Sequence, residues 1–349
     1  VTDPTLPTDP LEADLRGFFA ESRSRAERLG THYRALWDAL ELAASGGKRL
    51  RPRLVQLAHD GLGGSDPIAA RRVGLAFELL HTAFVIHDDV IDGDTTRRGM
   101  PNVAGTFRER GREHGADDAR AALWGETAAL LAGDLALSAA HRLIAELDMP
   151  ATRRMQVLDL LDHAVFVSAA GELADVTNTE AEHLGIDDVI ATLEQKTAVY
   201  TFQAPLQAGA MLAGADERAV AALGRFGRLA GIAFQLADDV LGVFGDEGTT
   251  GKSTLSDLRE GKQTTLIAHA TGTGEWPVIS PLLGKADLDE AEAASVRRAL
   301  VQAGSLDQTN RIAREHVTLA LHELDTASVP TAMRDELAAL ARSAVERMR

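Results

Sequence analysis

Apolar residues recur along most of this chain at helical rather than strand spacing. In residues 68–87, IAARRVGLAFELLHTAFVIH, they occupy nearly the whole circumference of a helical wheel, the pattern of a helix enclosed by other helices. Segments 118–147, 151–180 and 216–244 read the same way, and no alternation runs long enough to build a sheet. Proline placement agrees. Between Pro10 and Pro52, Pro101 and Pro150, Pro150 and Pro205, and Pro205 and Pro277 the chain is proline-free and rich in Ala, Leu, Glu and Arg. The pattern predicts an all-α bundle, with breaks at GLGGSDP (61–67), RGMPN (98–102), DMP (148–150) and GDEGTTGKS (245–253). Residues 1–10 hold three of the 11 prolines and read as a flexible N-terminal tail. The Gly/Pro-rich stretch 271–285 is the best candidate boundary, but the helical pattern resumes unchanged beyond it. The expectation is therefore a single all-helical domain over 11–349, with terminal helices packed on it.

Composition narrows the function classes. At 45% apolar and 25% charged the 349-residue chain can bury a substantial core. Its 36 Lys and Arg against 52 Asp and Glu give a net charge of −16, which repels polyanions and argues against a nucleic-acid partner. With no cysteine, disulfides, thiolate metal sites and cysteine nucleophiles are excluded, which suits the cytoplasm. No apolar run reads as membrane-spanning, so no transmembrane segment is expected, and the acidic start VTDPTLPTDP is unlike a signal peptide.

Chemistry concentrates in two aspartate-rich stretches about 150 residues apart. In HDDVIDGDTTRRG (87–99), Asp88 and Asp92 share a helix face and Asp89 is turned about 100° from Asp88, so three carboxylates crowd the end of a very apolar helix. Such a cluster is costly unless a cation neutralises it, and Mg²⁺ prefers oxygen ligands of this kind. An isolated D-D-x-x-D also suits a solvated helix terminus. The second stretch, FQLADDVLGVFGD (234–246), repeats the adjacent pair as Asp238 and Asp239, and two such helix ends facing each other would bracket a metal cluster. Gly242 stands where the repeat wants an acid; Asp246 either substitutes for it or sits in the following loop. Basic residues accompany both stretches: Lys48, Arg49 and Arg51 in GGKRLRP, Arg97 and Arg98, Lys196 in EQKT, and Lys252 and Lys262 in TGKSTLSDLREGKQT. Each alone suits a surface salt bridge, but together with the acids they suit a Mg²⁺-bridged diphosphate.

These motifs resemble the trans-polyprenyl diphosphate synthase family, with its isoprenoid-synthase-type helical bundle around a central cavity, and most of all a bacterial geranylgeranyl diphosphate synthase. The resemblance covers nearly the whole chain. It implies that Lys48, Arg51 and His81 hold isopentenyl diphosphate, while Asp88, Asp89 and Asp92 form the first metal motif. It further implies that Arg97 grips the allylic diphosphate and Arg98 the isopentenyl diphosphate. Lys196 is then a diphosphate ligand, Thr197 lies near the developing cation, Gln235, Asp238 and Asp239 form the second motif, and Lys252 and Lys262 are the basic residues beyond it. Gly133-Asp134 and Gly171-Glu172 stand where the family has G-D and usually G-Q. The departures are Glu172 and Gly242. Three Mg²⁺ ions, replaceable by Mn²⁺, and a homodimer are implied by the same resemblance. So is a mechanism in which the allylic diphosphate departs, the isopentenyl alkene attacks, and released diphosphate takes the proton. The loop 245–263 reads as a lid over the diphosphates.

Helix geometry bears on product length. Phe84 lies about 6 Å and Leu80 about 12 Å down the face below Asp88, and Ala83 is small where short-chain family members often carry an aromatic. A C20 product is favoured, C15 and C25 or longer stay open, and Phe84 reads equally well as ordinary core. Among rival readings, a class I terpene cyclase would want Ser at Gly242 and has no use for Lys48, Arg51 and His81. A noncatalytic partner subunit typically loses first-motif aspartates, all of which are present. A phosphate-loop hydrolase would need Gly at Asp246 and a preceding strand.

Overall fold

Asp66 opens a long, apolar helix by accepting hydrogen bonds from the Ile68 and Ala69 N–H groups, with Pro67 at the first helical position. The computed structural model describes residues 9–179, 184–245 and 254–348. Within them the helices are α1 (Pro10–Glu27), α2 (Thr31–Ala43), α3 (Leu50–Gly61), α4 (Pro67–Ile91), α5 (Val103–Glu113), α6 (Asp118–Ala145), α7 (Ala151–Asn178) and α8 (Ile186–Leu193). A π-helical segment, Glu194–Gln203, follows, and then α9 (Ala204–Ala213), α10 (Glu217–Phe244), α11 (Ser256–Arg259), α12 (Thr265–Ala270), α13 (Trp276–Ile279), α14 (Glu290–Gln302), α15 (Ser305–Thr326) and α16 (Thr331–Glu346). The all-α expectation stands. Of the tail expected over residues 1–10, residues 1–8 lie outside the described residues; Asp9 caps α1 and Pro10 begins it.

The fold also contains one small sheet that the alternation pattern did not show. Strands β1 (Thr96–Arg97) and β2 (Met100–Pro101) pair antiparallel, with Arg97 opposite Met100. The two turn residues, Arg98 (φ 53°) and Gly99 (φ 74°), are both left-handed, as a tight two-residue hairpin turn requires.

Backbone proximity divides the chain into two units, one of residues up to Gln56 with Asp66–Leu158, the other of Leu57–Ser65 with the residues from Asp159 onward. In the first, α4 and α5 pack on α6, and α1 packs on α2 and α4. Val73, Phe77, Leu79, Leu80, Ala83 and Ile86 of α4 are buried, as its apolar circumference predicts. Among the described residues α6 is the one helix long and apolar enough, by length and composition alone, to cross a membrane, a test that a buried core helix also passes. Its face bearing Ala121, Gly125, Ala129, Ala132, Ala136 and Ala140 is nevertheless buried inside this unit.

In the second unit α10 is the organising helix, packed on the π segment, α9, α15 and α16. Three glycines let the π segment sink against its neighbours. A Cβ at Gly171 would lie 2.7 Å from Lys196 Cα, one at Gly227 2.8 Å from Gln203 Cα, and one at Gly231 2.7 Å from Ala198 Cβ. No side chain fits there, so the close approach is built into the sequence. The stretch 271–285 lies inside this unit, where Ile279 shares a core with Val243, Leu258 and Leu288.

Candidate active site

The C-terminal end of α4 carries the first acidic cluster. Asp88 and Asp89 sit in its last turn, and exposed Asp92 is its C-cap residue, its N–H bonded to the Asp88 carbonyl. Asp89 is 4% exposed and would be an expensive buried charge, but the β1–β2 hairpin delivers Arg97 to it. Arg97 Nε donates to Asp89 Oδ1 at 2.9 Å, its Nη2 donates to the same oxygen, and Nη2 lies 3.7 Å from Asp88 Oδ2. Burial pushes the Asp89 carboxyl up, with Arg97 working against it. Gly133 leaves room for the ring of His87, beside Asp88: a Cβ there would collide with the imidazole, which lies 3.6 Å from Asp134 Oδ1. The Gly133-Asp134 pair thus seats the helix end.

The GGKRLRP loop is fixed by an arginine to which the resemblance gives no role. Arg49, itself left-handed at φ 49°, donates to Glu12 at 2.7 Å, to the Ala44 carbonyl at 2.8 Å and to Glu78 at 2.8 Å. With Arg49 so held, Lys48 is exposed on the loop and Arg51 is buried in the first turn of α3. Arg98 lies along the loop, its Nη1 3.4 Å from where a Gly46 Cβ would stand, so the paired glycines admit the guanidinium. His81, half-buried two turns before Asp88, is held well below the usual histidine range by burial and by the charges of Arg51, Arg97, Arg98 and Arg49. Four guanidiniums thus act on one neutral imidazole. Two of the four are themselves paired, Arg49 with Glu12 and Glu78 and Arg97 with Asp89.

The second unit holds the other cluster. Gln235 Nε2 donates to Asp239 Oδ1 at 3.0 Å, while Asp239 Oδ2 is buried without a hydrogen-bond partner. Burial pushes the Asp239 carboxyl up to about 6, with Lys262 opposing and Asp257 assisting. Burial acts to lower Lys262, but Asp257, Asp239 and Asp175 outweigh it, so this ammonium stays charged. The π segment presents Lys196, whose Nζ lies 2.7 Å from Asp175 Oδ2 and 3.0 Å from Glu172, with half-buried Thr197 beside it. The departure from glutamine at Glu172 therefore gives Lys196 a charged partner. Asp238 Oδ1 lies 3.5 Å from Arg347 Nη1, and that guanidinium stacks 4.4 Å above the Phe234 ring.

Lys48, Arg51, His81, Asp88, Asp89, Asp92, Arg97 and Arg98 thus belong to the first unit. Lys196, Thr197, Gln235, Asp238, Asp239 and Lys262 belong to the second. Lys252 and Asp246, with residues 246–253 of the expected lid, lie outside the described residues. Of the proposed chain-length positions, Leu80 and Ala83 are fully buried and Phe84 is half-buried. Sequence reasoning missed Asp175, Asp257 and Arg347. Only Asp175 left a local signal, one turn from Glu172 on the same face of α7.

Magnesium is usually held by one or two carboxylates plus substrate phosphates rather than by an all-protein cage. The donor set fits that mode. Asp239 offers a buried carboxylate oxygen with no other hydrogen-bond partner, and among the described residues no three acidic or histidine side chains make a cage alone.

Comparison with known proteins agrees. A family model described as Polyprenyl synthetase matches residues 34–300. A geranylgeranyl diphosphate synthase of Methanosarcina mazei is 34% identical over 86% of this chain and 85% of its own length. A (2E,6E)-farnesyl diphosphate synthase of Mycobacterium tuberculosis is 32% identical over 99% of this chain and 94% of its own. Among solved structures, a geranylgeranyl pyrophosphate synthase from Corynebacterium glutamicum, complexed with isoprenyl diphosphate and magnesium, matches with a TM-score of 0.88. That structure is 27% identical and covers 98% of this chain and 100% of its own.

Proposed function

The chain belongs to the polyprenyl synthetase family and is a prenyltransferase; from that premise we propose that it condenses isopentenyl diphosphate with an allylic diphosphate, whether dimethylallyl, geranyl or farnesyl. The product is an all-trans polyprenyl diphosphate, geranylgeranyl diphosphate (C20) in the favoured reading. The observation that carries this proposal is the fork of Arg97 on Asp89, 3.7 Å from Asp88, with Arg98 laid along the loop that bears Lys48. Guanidiniums gathered beside carboxylates in this way suit a diphosphate.

Each residue then has a role. Lys48, Arg51, His81 and Arg98 hold isopentenyl diphosphate, His81 as a neutral hydrogen-bonding group. Arg97, Lys196, Gln235, Lys252 and Lys262 meet the allylic diphosphate, and their charge is worth most as negative charge builds on the departing group. Asp88, Asp89, Asp92, Asp238 and Asp239 would hold divalent cations, three Mg²⁺ in this reading with Mn²⁺ as a substitute. Bound there, Mg²⁺ would supply positive charge that stabilises the leaving diphosphate. Thr197 lies beside the developing allylic cation, and apolar walls such as Phe84 keep water from it. The new carbon–carbon bond forms as the alkene attacks, and released diphosphate takes the proton, so no enzyme nucleophile is needed.

Residues 11–349 work in this reading as one catalytic domain, on small diphosphates and not nucleic acid, in the cytoplasm. A homodimer fits the exposed Leu123, Leu130 and Leu131 of α6 and the exposed Phe166 and Leu173 of α7, which a second copy could cover. The test is incubation of purified protein with Mg²⁺, isopentenyl diphosphate and each allylic diphosphate, with products dephosphorylated and sized by chromatography. A Mg²⁺-dependent ladder ending near C20, abolished by Asp88→Ala, is expected. No consumption of isopentenyl diphosphate would overturn the proposal.

A further inference from the structure

The β1–β2 hairpin carries Arg97 to Asp89, yet it has little of its own to stand on. Its strands are two residues each, and Thr96, Arg98, Gly99 and Met100 are exposed. A ribbon so short is marginal by itself, so its placement depends on what fastens its ends. We infer that Asn102 is that fastening, closing the hairpin onto α5, and that it serves the reaction as a positioning residue for Arg97. The inference rests on the prenyl synthase reading, in which Arg97 meets the allylic diphosphate.

Hydrogen bonds carry the first part of the argument. Asn102 Oδ1 accepts from the Gly105 N–H at 2.9 Å, which caps α5, and its Nδ2 donates to the Asp94 carbonyl at 2.8 Å. The Asn102 backbone N–H donates to the Thr95 carbonyl at 3.1 Å. The residue just past β2 is thus tied both to α5 and to the two residues just before β1. Asp94 extends the series, its N–H donating to the Asp89 carbonyl at 2.8 Å. These ties therefore run from α5 through Asn102 and Asp94 to the backbone of the same residue whose carboxylate Arg97 grips. Asn102 also joins Arg97 in working against the burial that pushes the Asp89 carboxyl up.

The base to which Asn102 fastens the hairpin is rigid. A Cβ at Gly105 would collide with the Thr95 carbonyl oxygen, and one at Gly125 of α6 would lie 2.5 Å from the Ala104 carbonyl oxygen. Both obstacles are backbone atoms, which cannot swing aside as a side-chain end can. Thr95 therefore lies flush on the first turn of α5, and that turn lies flush on α6, with Val103, Ala104, Gly105 and Phe107 buried. Such support is what holds a charged fork within its working geometry.

The cap and the tether are separable. Ser and Asp cap a helix about as well as Asn, but Ser is shorter and Asp carries no N–H, so neither supplies the donor at the Asp94 carbonyl.

The experiment is a double-mutant cycle of Asn102→Ser and Arg97→Lys in the full chain, read as kcat with saturating isopentenyl and allylic diphosphates. Thermal unfolding and hydrogen exchange over residues 94–102 run beside it. Asn102→Ser keeps the cap, so its unfolding midpoint should stay above that of Asn102→Ala, while exchange over 94–102 quickens and kcat falls about 10- to 100-fold. Added to Arg97→Lys it should cost only about 2-fold more, because both changes act on one guanidinium. Wild-type kcat in Asn102→Ser overturns the proposal, and so does a loss that multiplies in full with that of Arg97→Lys. Should Asn102→Ser not fold, Asn102→Asp enters the same cycle with the same two outcomes. A wild-type chain that consumes no isopentenyl diphosphate would sink the prenyl synthase reading. Hydrogen exchange needs no substrate, and unchanged exchange over 94–102 in Asn102→Ser would overturn the hairpin role separately.

Discussion

Arg49 Nη1 donates to Glu78 Oε1 across 2.8 Å, and the two side chains are only 10% and 8% exposed. This pair locks the start of α3 to the middle of α4 and holds Arg49 in a left-handed conformation that a non-glycine residue adopts only under constraint. Removing the guanidinium leaves Glu78 a buried, uncompensated charge. Arg49→Ala should therefore cost about 3–5 kcal/mol in urea unfolding. Glu78→Gln, which keeps a hydrogen-bond acceptor, should cost about 1–3 kcal/mol. Both should raise KM for isopentenyl diphosphate more than they lower kcat, because Lys48 sits on the loop that Arg49 secures.

Arg97 places Nε and Nη2 on one oxygen of Asp89, a geometry that a lysine ammonium on a flexible stem cannot reproduce. Arg97→Lys keeps the charge but loses the fork. The loss should fall on the step in which charge develops on the leaving diphosphate, lowering kcat about 10²- to 10³-fold. Steady-state kinetics with saturating substrates will show it. An unchanged kcat would remove Arg97 from the ionisation step and leave it as a structural partner of Asp89.

How much of this was readable beforehand depends on the range of the interactions. Helix α4 announces itself through Asp66-Pro67 at its start and an apolar circumference, and α10 through Asp216, which accepts from the Ala219 N–H. Such signals are local. The π segment is not legible in EQKTAVYTFQ, because Gly171, Gly227 and Gly231, distant in sequence, make the space for it. The hairpin at 96–101 is too short for alternation and rests on two left-handed residues. At the site, both aspartate pairs are contiguous and stand out. Asp175 and Asp257 act only through folding, the first on Lys196 and the second on the space beside Gly242.

His81 gives a pH dependence whose sign follows from its surroundings. Burial, then the charges of Arg51, Arg97, Arg98 and Arg49, depress its pKa in the folded chain well below the ordinary histidine value. Below that ordinary value, about 6.5, the unfolded chain binds the proton and the folded chain resists it. The stability contributed by neutral His81 is therefore full above about pH 6.5 and is lost progressively as pH falls toward the depressed folded value. Urea unfolding at pH 7.5 and pH 5.0 should show a larger drop for the wild type than for His81→Gln. Equal drops would mean that His81 does not resist protonation in the folded state.

Product length is the prediction on which the apolar part of the site turns. Leu80 and Ala83 are fully buried in the packing of α4, whereas Phe84, one turn before Asp88, is half-buried. Exposure therefore separates three residues that helix spacing alone treats alike. Phe84→Ala should remove the obstacle and shift the product distribution from C20 toward C25 and longer. Leu80→Ala, deeper in the packing, should instead cost about 2–5 kcal/mol in stability with little change in product length. Ala83→Phe should overpack the helix by about 1–3 kcal/mol, and any shortening to C15 would come with that loss. Chromatography of dephosphorylated products, run beside thermal unfolding of each variant, distinguishes these outcomes. A Phe84→Ala enzyme that still stops at C20 would place the limiting residue elsewhere, and lengthening by Leu80→Ala alone would point to the position one turn deeper.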